Sequence, residues 1–332
     1  MADIALQDGR FMTTTAAATR ARALEWLRLG DIVFRHVTRS AVLVVLVLLG
    51  GVIVSLFIGA LPAMRKFGFG FLVSEQWNPV TDEFGGLAAI YGTLVTSLIA
   101  MLIAVPVGLM IGFFLTELCP YWLRRPIGIA IELLAGIPSI IYGIWGLFFF
   151  APVLQHTLQP FLVDTLGSVP LIGALFAGPP FGIGMLTAGL ILAIMVLPLV
   201  SAISRDVFES VPLVLKEAAY GIGCTTWEVM RRVVLPYARS GVIGGVMLAL
   251  GRALGETMAV TFVIGNAPKV SASLFAPGTT ISAVIANEFT EAVSKLYTSA
   301  LILLGLLLFI LTFFVLAAAR LMLMRLETKA GK

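Results

Sequence analysis

Six apolar runs, each long enough to cross a bilayer, constrain this chain more than any other feature. A helix needs roughly 20 mostly apolar residues to span the hydrocarbon core. Ala41 to Leu61 and Gly85 to Thr116 meet that length with no charged residue. Ile127 to Val153 gives a third run, interrupted only by Glu132. Thr165 to Ser204 is uncharged but holds Gly178-Pro179-Pro180, which should break it, so the fourth span is expected at Phe181 to Ile203. Ser240 to Gly265 carries Arg252 and Glu256, and Leu296 to Ala319 completes the set. Only 12% of the residues are charged, about half the usual share of a soluble domain. With 59% hydrophobic residues, lipid is the solvent that this composition fits.

Basic residues fix the direction of threading, because loops rich in Lys and Arg stay on the cytoplasmic side. The first 40 residues carry six, the loop after the second run two, the loop after the fourth five, and the tail after the sixth four. The opposite side receives Arg65, Lys66, Lys269 and Lys295. Both termini are therefore expected in the cytoplasm. The expected organisation is an N-terminal tail over 1–40, a first span over 41–61, a periplasmic loop over 62–84 and a membrane domain over 85–325. The first apolar run is too long for a signal-peptide core and reads as an uncleaved span.

The net charge of +4 forms no stripe and no aromatic-interleaved patch, so no nucleic acid partner is expected. The two cysteines, Cys119 and Cys224, fall on the cytoplasmic side, where no disulfide is expected. With His36 and His156 as the only histidines, no metal site is expected either, and His156 reads as a periplasmic loop residue. Gly108 with Gly112 and Gly251 with Gly255 offer small residues at a spacing that lets helices approach closely. Pro106, Pro138 and Pro198 lie inside the second, third and fourth runs and should kink them.

The cytoplasmic loop over 205–239 carries the most information. Ser210 can cap a short helix and Pro212 suits its first turn. Gly221 and Gly223 can end that helix, and Thr225 with Glu228 has the spacing of a capping box that opens another. Pro236 should interrupt or end the second helix. The expected result is a polar helical hairpin presented to the cytoplasm.

Within that hairpin, Glu217-Ala218-Ala219, then Gly223, then Leu235-Pro236 resembles the Glu-Ala-Ala loop of binding-protein-dependent ABC importer permeases. Gly251-Arg252-Ala253-Leu254-Gly255-Glu256-Thr257-Met258-Ala259-Val260 resembles a motif of phosphate-importer permeases. Trp77-Asn-Pro79, Gly92-Thr93-Leu94, Leu134-Ala-Gly-Ile-Pro-Ser139 and Ile285-Ala-Asn-Glu-Phe289 agree with it. The resemblance implies an all-α membrane fold of the type I importer kind. It also implies a second permease subunit, a dimer of ATP-binding subunits and a periplasmic phosphate-binding protein as partners. In the family the loop docks on the ATPase, so Glu217, Ala218, Ala219, Gly223, Leu235 and Pro236 are the expected coupling residues.

No Gly-x4-Gly-Lys-Ser/Thr occurs, and the sole Gly-Lys is Gly331-Lys332. The chain is therefore expected to hold no cofactor and to be no enzyme by itself, with ATP and magnesium bound by the partner ATPase. Arg252 and Glu256, four residues apart, are expected on one helix face. A guanidinium fork suits phosphate oxygens, and a charge at mid-membrane usually faces a partner or a water-filled path. The alternative is a structural ion pair between the two. Ser139 and Thr257 could donate to an anion or bond their own helix carbonyls. Glu132 either pairs across helices or lies near the cytoplasmic interface, the reading preferred here, and Trp77 reads as a surface anchor. A permease for another oxyanion such as molybdate or sulfate, an ATP-independent transporter and a polytopic membrane enzyme remain the rival readings.

Overall fold

The computed structural model describes residues 2–167, 169 and 173–330, with side chains described between residues 30 and 321 in those ranges and at Met324. In chain order the helices are α1 Ala2–Phe67, α2 Gly70–Val73, α3 Leu87–Phe113, α4 Tyr121–Ala135, α5 Ser139–Trp145, α6 Ala151–His156 and α7 Leu158–Leu166. They continue as α8 Met185–Glu209, α9 Leu213–Gly221, α10 Thr226–Val229, α11 Leu235–Leu254, α12 Met258–Val263, α13 Ile281–Glu288 and α14 Lys295–Ala330. A two-residue antiparallel ladder pairs β1 Trp77–Asn78 with β2 Glu83–Phe84. Among the described residues six helical stretches have the length and apolarity to cross a membrane: Gly30–Phe67, Leu87–Leu118, Ser139–Leu166, Met185–Glu209, Thr226–Leu254 and Lys295–Leu321.

Two compact units divide the chain at residue 58. In the first, Met1–Ile58, side chains from Gly30 onward are almost all exposed. A helix this apolar with so little buried surface is solvated by lipid. The helix begins well before the expected start of the first span and, in the second unit, continues to Phe67.

In the second unit, Gly59–Lys332, the core is built on α3 and α8. Ala100 and Ala104 of α3 and Ala188, Ile191, Leu192 and Val196 of α8 are buried in it. A Cβ on Gly108 would stand 2.7 Å from the Val200 side chain, and one on Gly112 would stand 2.8 Å from that of Ser204. Small residues here permit the two backbones to approach, as their spacing suggests. Gly251 and Gly255 do not serve that purpose. A Cβ at Gly251 would meet only Leu316 at 3.7 Å, and Gly255 closes the end of α11.

Three span assignments change. The third does not begin at Ile127, because Gly136-Ile137-Pro138 separates α4 from α5. Pro138 lacks an N–H and restricts Ile137, so the backbone turns before Ser139 instead of merely kinking. His156 then lies in the last turn of α6, inside the third stretch and not in a loop. The fourth begins at Met185 instead of Phe181, because Gly182 and Gly184 adopt φ of +77° and +148°, outside any helix. The fifth is interrupted at Gly255–Thr257, between α11 and α12.

Candidate transport site and coupling hairpin

The interruption in the fifth stretch determines what Arg252 and Glu256 can do. Arg252 occupies the last turn of α11 and is exposed, where the carbonyl end of a helix favours a cation. Glu256 lies within the break itself, and its Oε1 accepts the N–H of Ala259 at 3.3 Å in the first turn of α12. The two residues therefore do not share a helix face. Among the described residues the ion pairs are Arg205–Glu132, Arg205–Asp206 and Lys216–Glu117, so the expected Arg252–Glu256 pair is not formed. Gly255 and Thr257 are weak helix formers, and beyond them α12 packs on α5. A Cβ on Gly143 of α5 would stand 3.1 Å from the Met258 carbonyl oxygen, so the two backbones are in close contact.

That contact brings both interrupted spans together. Ser139 opens α5 just after the Gly136–Pro138 turn, half-buried, and Thr257 precedes α12. The Thr257 hydroxyl donates to the Gly255 carbonyl at 3.4 Å, the local bonding that competes with a ligand. Tyr142, on the first turns of α5, donates to the Leu134 carbonyl at 2.8 Å and lies within electrostatic reach of Arg252. It ties the end of α4 to the start of α5. Non-helical backbone at membrane depth is tolerated where it lines a cavity or packs in protein. Arg252, Ser139, Tyr142 and Thr257 are thus grouped around the breaks of two spans.

The second feature is the hairpin. Ser210 does not cap α9: its hydroxyl donates to the Val207 carbonyl at 2.7 Å and so finishes α8, leaving Pro212 as the cap residue. Gly223 takes φ +90° in the turn after α9. The capping box forms as its spacing suggests. Thr225 N donates to Glu228 Oε2 at 2.9 Å, while Glu228 N donates to Thr225 Oγ1 at 3.4 Å. Pro236 neither interrupts nor ends the helix. A widened π turn over Met230–Val234 carries the chain from α10 into α11, where Pro236 sits in the first turn and has no bond to lose.

Glu217 and Ala218 are exposed, while Ala219 is buried with Phe208, Val211, Val229 and Val234 in a small core beneath the hairpin. Leu235 and Pro236 remain exposed. The tip is less polar than expected, since Leu213, Val214, Ile222 and Trp227 are all exposed.

Glu132 is not simply an interface residue. Arg205 Nη2 of α8 meets Glu132 Oε1 of α4 at 2.9 Å, joining two helices. Trp77 likewise has a defined partner. Its indole N–H donates to Glu288 Oε2, which also accepts the Tyr297 hydroxyl at 2.6 Å. Phe84 stacks on Tyr297 at 5.0 Å between centroids, so the β1–β2 ladder is fastened to α13 and α14.

Two helix breaks brought together beside Arg252, with a helical hairpin on a connecting loop, are the features of a membrane permease subunit. The chain belongs to the family of binding-protein-dependent transport system inner membrane components, whose sequence model matches residues 104–326. It is a multi-pass inner membrane protein, a permease subunit of the ABC importer class. It is 64% identical over 314 residues to the phosphate transport system permease protein PstC of Mesorhizobium japonicum, covering 95% of this chain and 96% of that one. The PstC of Pasteurella multocida is 56% identical over 302 residues, covering 91% and 94%. In fold it is similar to a chain of a bacterial alginate ABC transporter, solved with an alginate-bound periplasmic protein. That likeness has a TM-score of 0.55 at 16% identity and covers 81% of this chain and 88% of that one.

Proposed function

We propose that this chain is the permease subunit that passes inorganic phosphate inward through an ABC importer. The observation that carries the reading is 64% identity, along almost the whole of both chains, to a phosphate transport system permease. The complex contains a second, paralogous permease, two ATP-binding subunits that hold ATP and magnesium, and a periplasmic phosphate-binding protein. Both termini face the cytoplasm, and the hairpin with Glu217, Ala218, Ala219, Gly223, Leu235 and Pro236 docks on an ATP-binding subunit. Exposed Leu213, Val214 and Ile222 supply apolar contact there.

Arg252 supplies the anion contact. Its planar fork can hold two phosphate oxygens, and it sits in the last turn of α11, next to the Gly255–Thr257 break. Ser139 and Thr257, near the same breaks, offer hydroxyl donors, and Glu256 in the break accepts from the first turn of α12. Closure of the ATPase dimer moves the hairpin, and the spans alternate between outward and inward access.

Reconstitution of the four components in proteoliposomes tests this. ATP-dependent uptake of labelled phosphate that excess sulfate and molybdate fail to suppress is the expected result. Uptake of sulfate or molybdate in place of phosphate would favour the other-oxyanion reading, and uptake without ATP would remove the importer reading altogether.

A further inference from the structure

A buried ion pair ties the hairpin to the end of the second membrane stretch. Lys216 Nζ of α9 meets Glu117 Oε1 at 2.6 Å, and the same ammonium donates to the Phe208 carbonyl at 3.3 Å. The two side chains are only 11% and 10% exposed, against 21% and 52% for Arg205 and Glu132. Glu117 itself lies in a widened π turn, Phe114–Leu118, that continues α3. Beside it, Arg124 Nη2 donates to the Thr116 carbonyl at 2.5 Å. A cavity of about 660 Å³ opens between these residues and α9, lined also by Glu209 and Tyr220. Phe113 and Leu109 of α3 pack on the small core under the hairpin, and Phe113 meets Trp227 edge-on at 6.5 Å.

The connection from α8 to α9 is short and non-helical, Ser210 to Pro212. A push on α9 delivered through that segment alone would be absorbed by rotation about a few backbone angles. The Lys216–Glu117 pair provides a second attachment, to a different span. Buried pairs add little net stability, because desolvation offsets much of the attraction; their better attested use is to fix one arrangement. Here that arrangement is the seating of α9 on α3, and the contacts at Gly108 and Gly112 extend it from α3 to α8.

We propose that Lys216 and Glu117 are positioning residues that couple movement of the hairpin to the second membrane stretch. The inference rests on the reading that an ATPase docks on the hairpin. With the pair intact, α9 and the end of α3 move as one body and hydrolysis drives transport. With it broken, the hairpin still docks but slides against α3, and hydrolysis proceeds with less solute moved.

Two measurements test it. In the reconstituted complex, the ratio of phosphate transported to ATP hydrolysed should fall severalfold in Glu117→Gln and recover in part in the exchanged pair Glu117→Lys with Lys216→Glu. A structural role alone would lower the yield of complex and leave the ratio in the surviving complex unchanged, and that result overturns the proposal. If Glu117→Gln fails to assemble, Glu117→Met with Lys216→Met restores packing without the charges and takes its place, with the same ratio read. The second measurement does not depend on the solute. Spin labels at Leu215 and Met110, both exposed, should report one narrow distance that is kept when the ATPase is trapped closed. In Glu117→Gln the distribution should broaden. Equal widths in the two proteins overturn the coupling role even if phosphate proves to be the wrong solute. Loss of wild-type phosphate uptake with a broadened mutant distance would instead sink only the substrate assignment.

Discussion

The Thr93 hydroxyl accepts the backbone N–H of Ile281 at 3.0 Å, joining residues 188 positions apart, and donates in turn to the Ala89 carbonyl at 2.8 Å. Both residues are almost fully buried. One hydroxyl thus satisfies the first donor of α13 and fastens the start of α3 to the chain just after Thr280. Next to it, a Cβ on Gly92 would fall 1.9 Å from the Thr279 carbonyl oxygen, so the two backbones are in direct contact.

That relationship gives the first prediction. Thr93→Val keeps the shape but leaves the Ile281 N–H buried and unpaired, which costs about 1–3 kcal/mol. Thr93→Ser keeps the acceptor and loses one methyl, costing about 1 kcal/mol. Thermal unfolding of the detergent-purified protein should therefore rank wild type, Thr93→Ser and Thr93→Val in falling order of midpoint. An equal or higher midpoint for Thr93→Val would mean the hydroxyl is not the partner that Ile281 requires.

Gly223 and Gly221 make a matched pair for the second prediction. Neither has an atom within 4 Å of a built Cβ, but Gly223 alone has a left-handed φ, +90°. Space is therefore not the issue at either site; backbone conformation is, and only at Gly223. Gly223→Val should distort the turn at a cost of about 1–3 kcal/mol. Gly221→Ala should be neutral or stabilising by about 0.5–1 kcal/mol, since it lies within helical backbone. Co-purification of the ATP-binding subunit should fall for Gly223→Val while membrane insertion is retained, and stay at wild-type level for Gly221→Ala. Wild-type recovery for both would remove Gly223 from the docking surface.

How much of this was legible in the sequence depended on the range of the cause. The capping box at Thr225 and Glu228 is local and formed as its spacing implied. The six apolar runs were equally plain, because lipid imposes length and apolarity on each span separately. The break at Gly255–Thr257 was not legible. Every residue there is tolerated in a membrane helix, and beyond the break α12 packs on α5, more than a hundred residues earlier. The pairs Lys216–Glu117 and Arg205–Glu132 were hidden for the same reason, with partners 99 and 73 positions apart. For Glu132 a pair across helices was one of two readings, but its own neighbours gave no hint that Arg205 is the partner.

The third prediction concerns orientation. On one end of the second unit Lys66 donates to the Asp82 carbonyl at 2.9 Å, and Ser294 donates to the Asp82 carboxylate at 3.1 Å. Arg124, Arg205 and Lys216 belong to the ends of other helices, with the hairpin. Basic excess assigns the hairpin side to the cytoplasm. Alkaline phosphatase, active only outside the cytoplasm, should be silent when fused after Arg320 and active when inserted after Val80, which is 93% exposed. The reverse pattern would invert the topology.

The last prediction separates Arg252, in the last turn of α11, from Glu256, in the break that follows it. If the two formed a mutually neutralising pair, removing both charges would restore what removing one destroys. They form no such pair among the described residues, and each has its own local setting: Arg252 at the carbonyl end of α11, Glu256 bonded to Ala259 N. Arg252→Lys keeps the charge and loses the planar fork, so phosphate uptake should fall while complex yield holds. Arg252→Gln should fall further. Glu256→Gln retains an oxygen that can accept from Ala259 N, so α12 should still start correctly and uptake should drop less than in Arg252→Gln. The double substitution Arg252→Gln with Glu256→Gln should resemble Arg252→Gln alone. Labelled-phosphate uptake, normalised to the amount of assembled complex, reads all four variants. Full recovery in the double variant would show that the charges act as a pair in some other conformation, and that Arg252 is not the group that handles the anion.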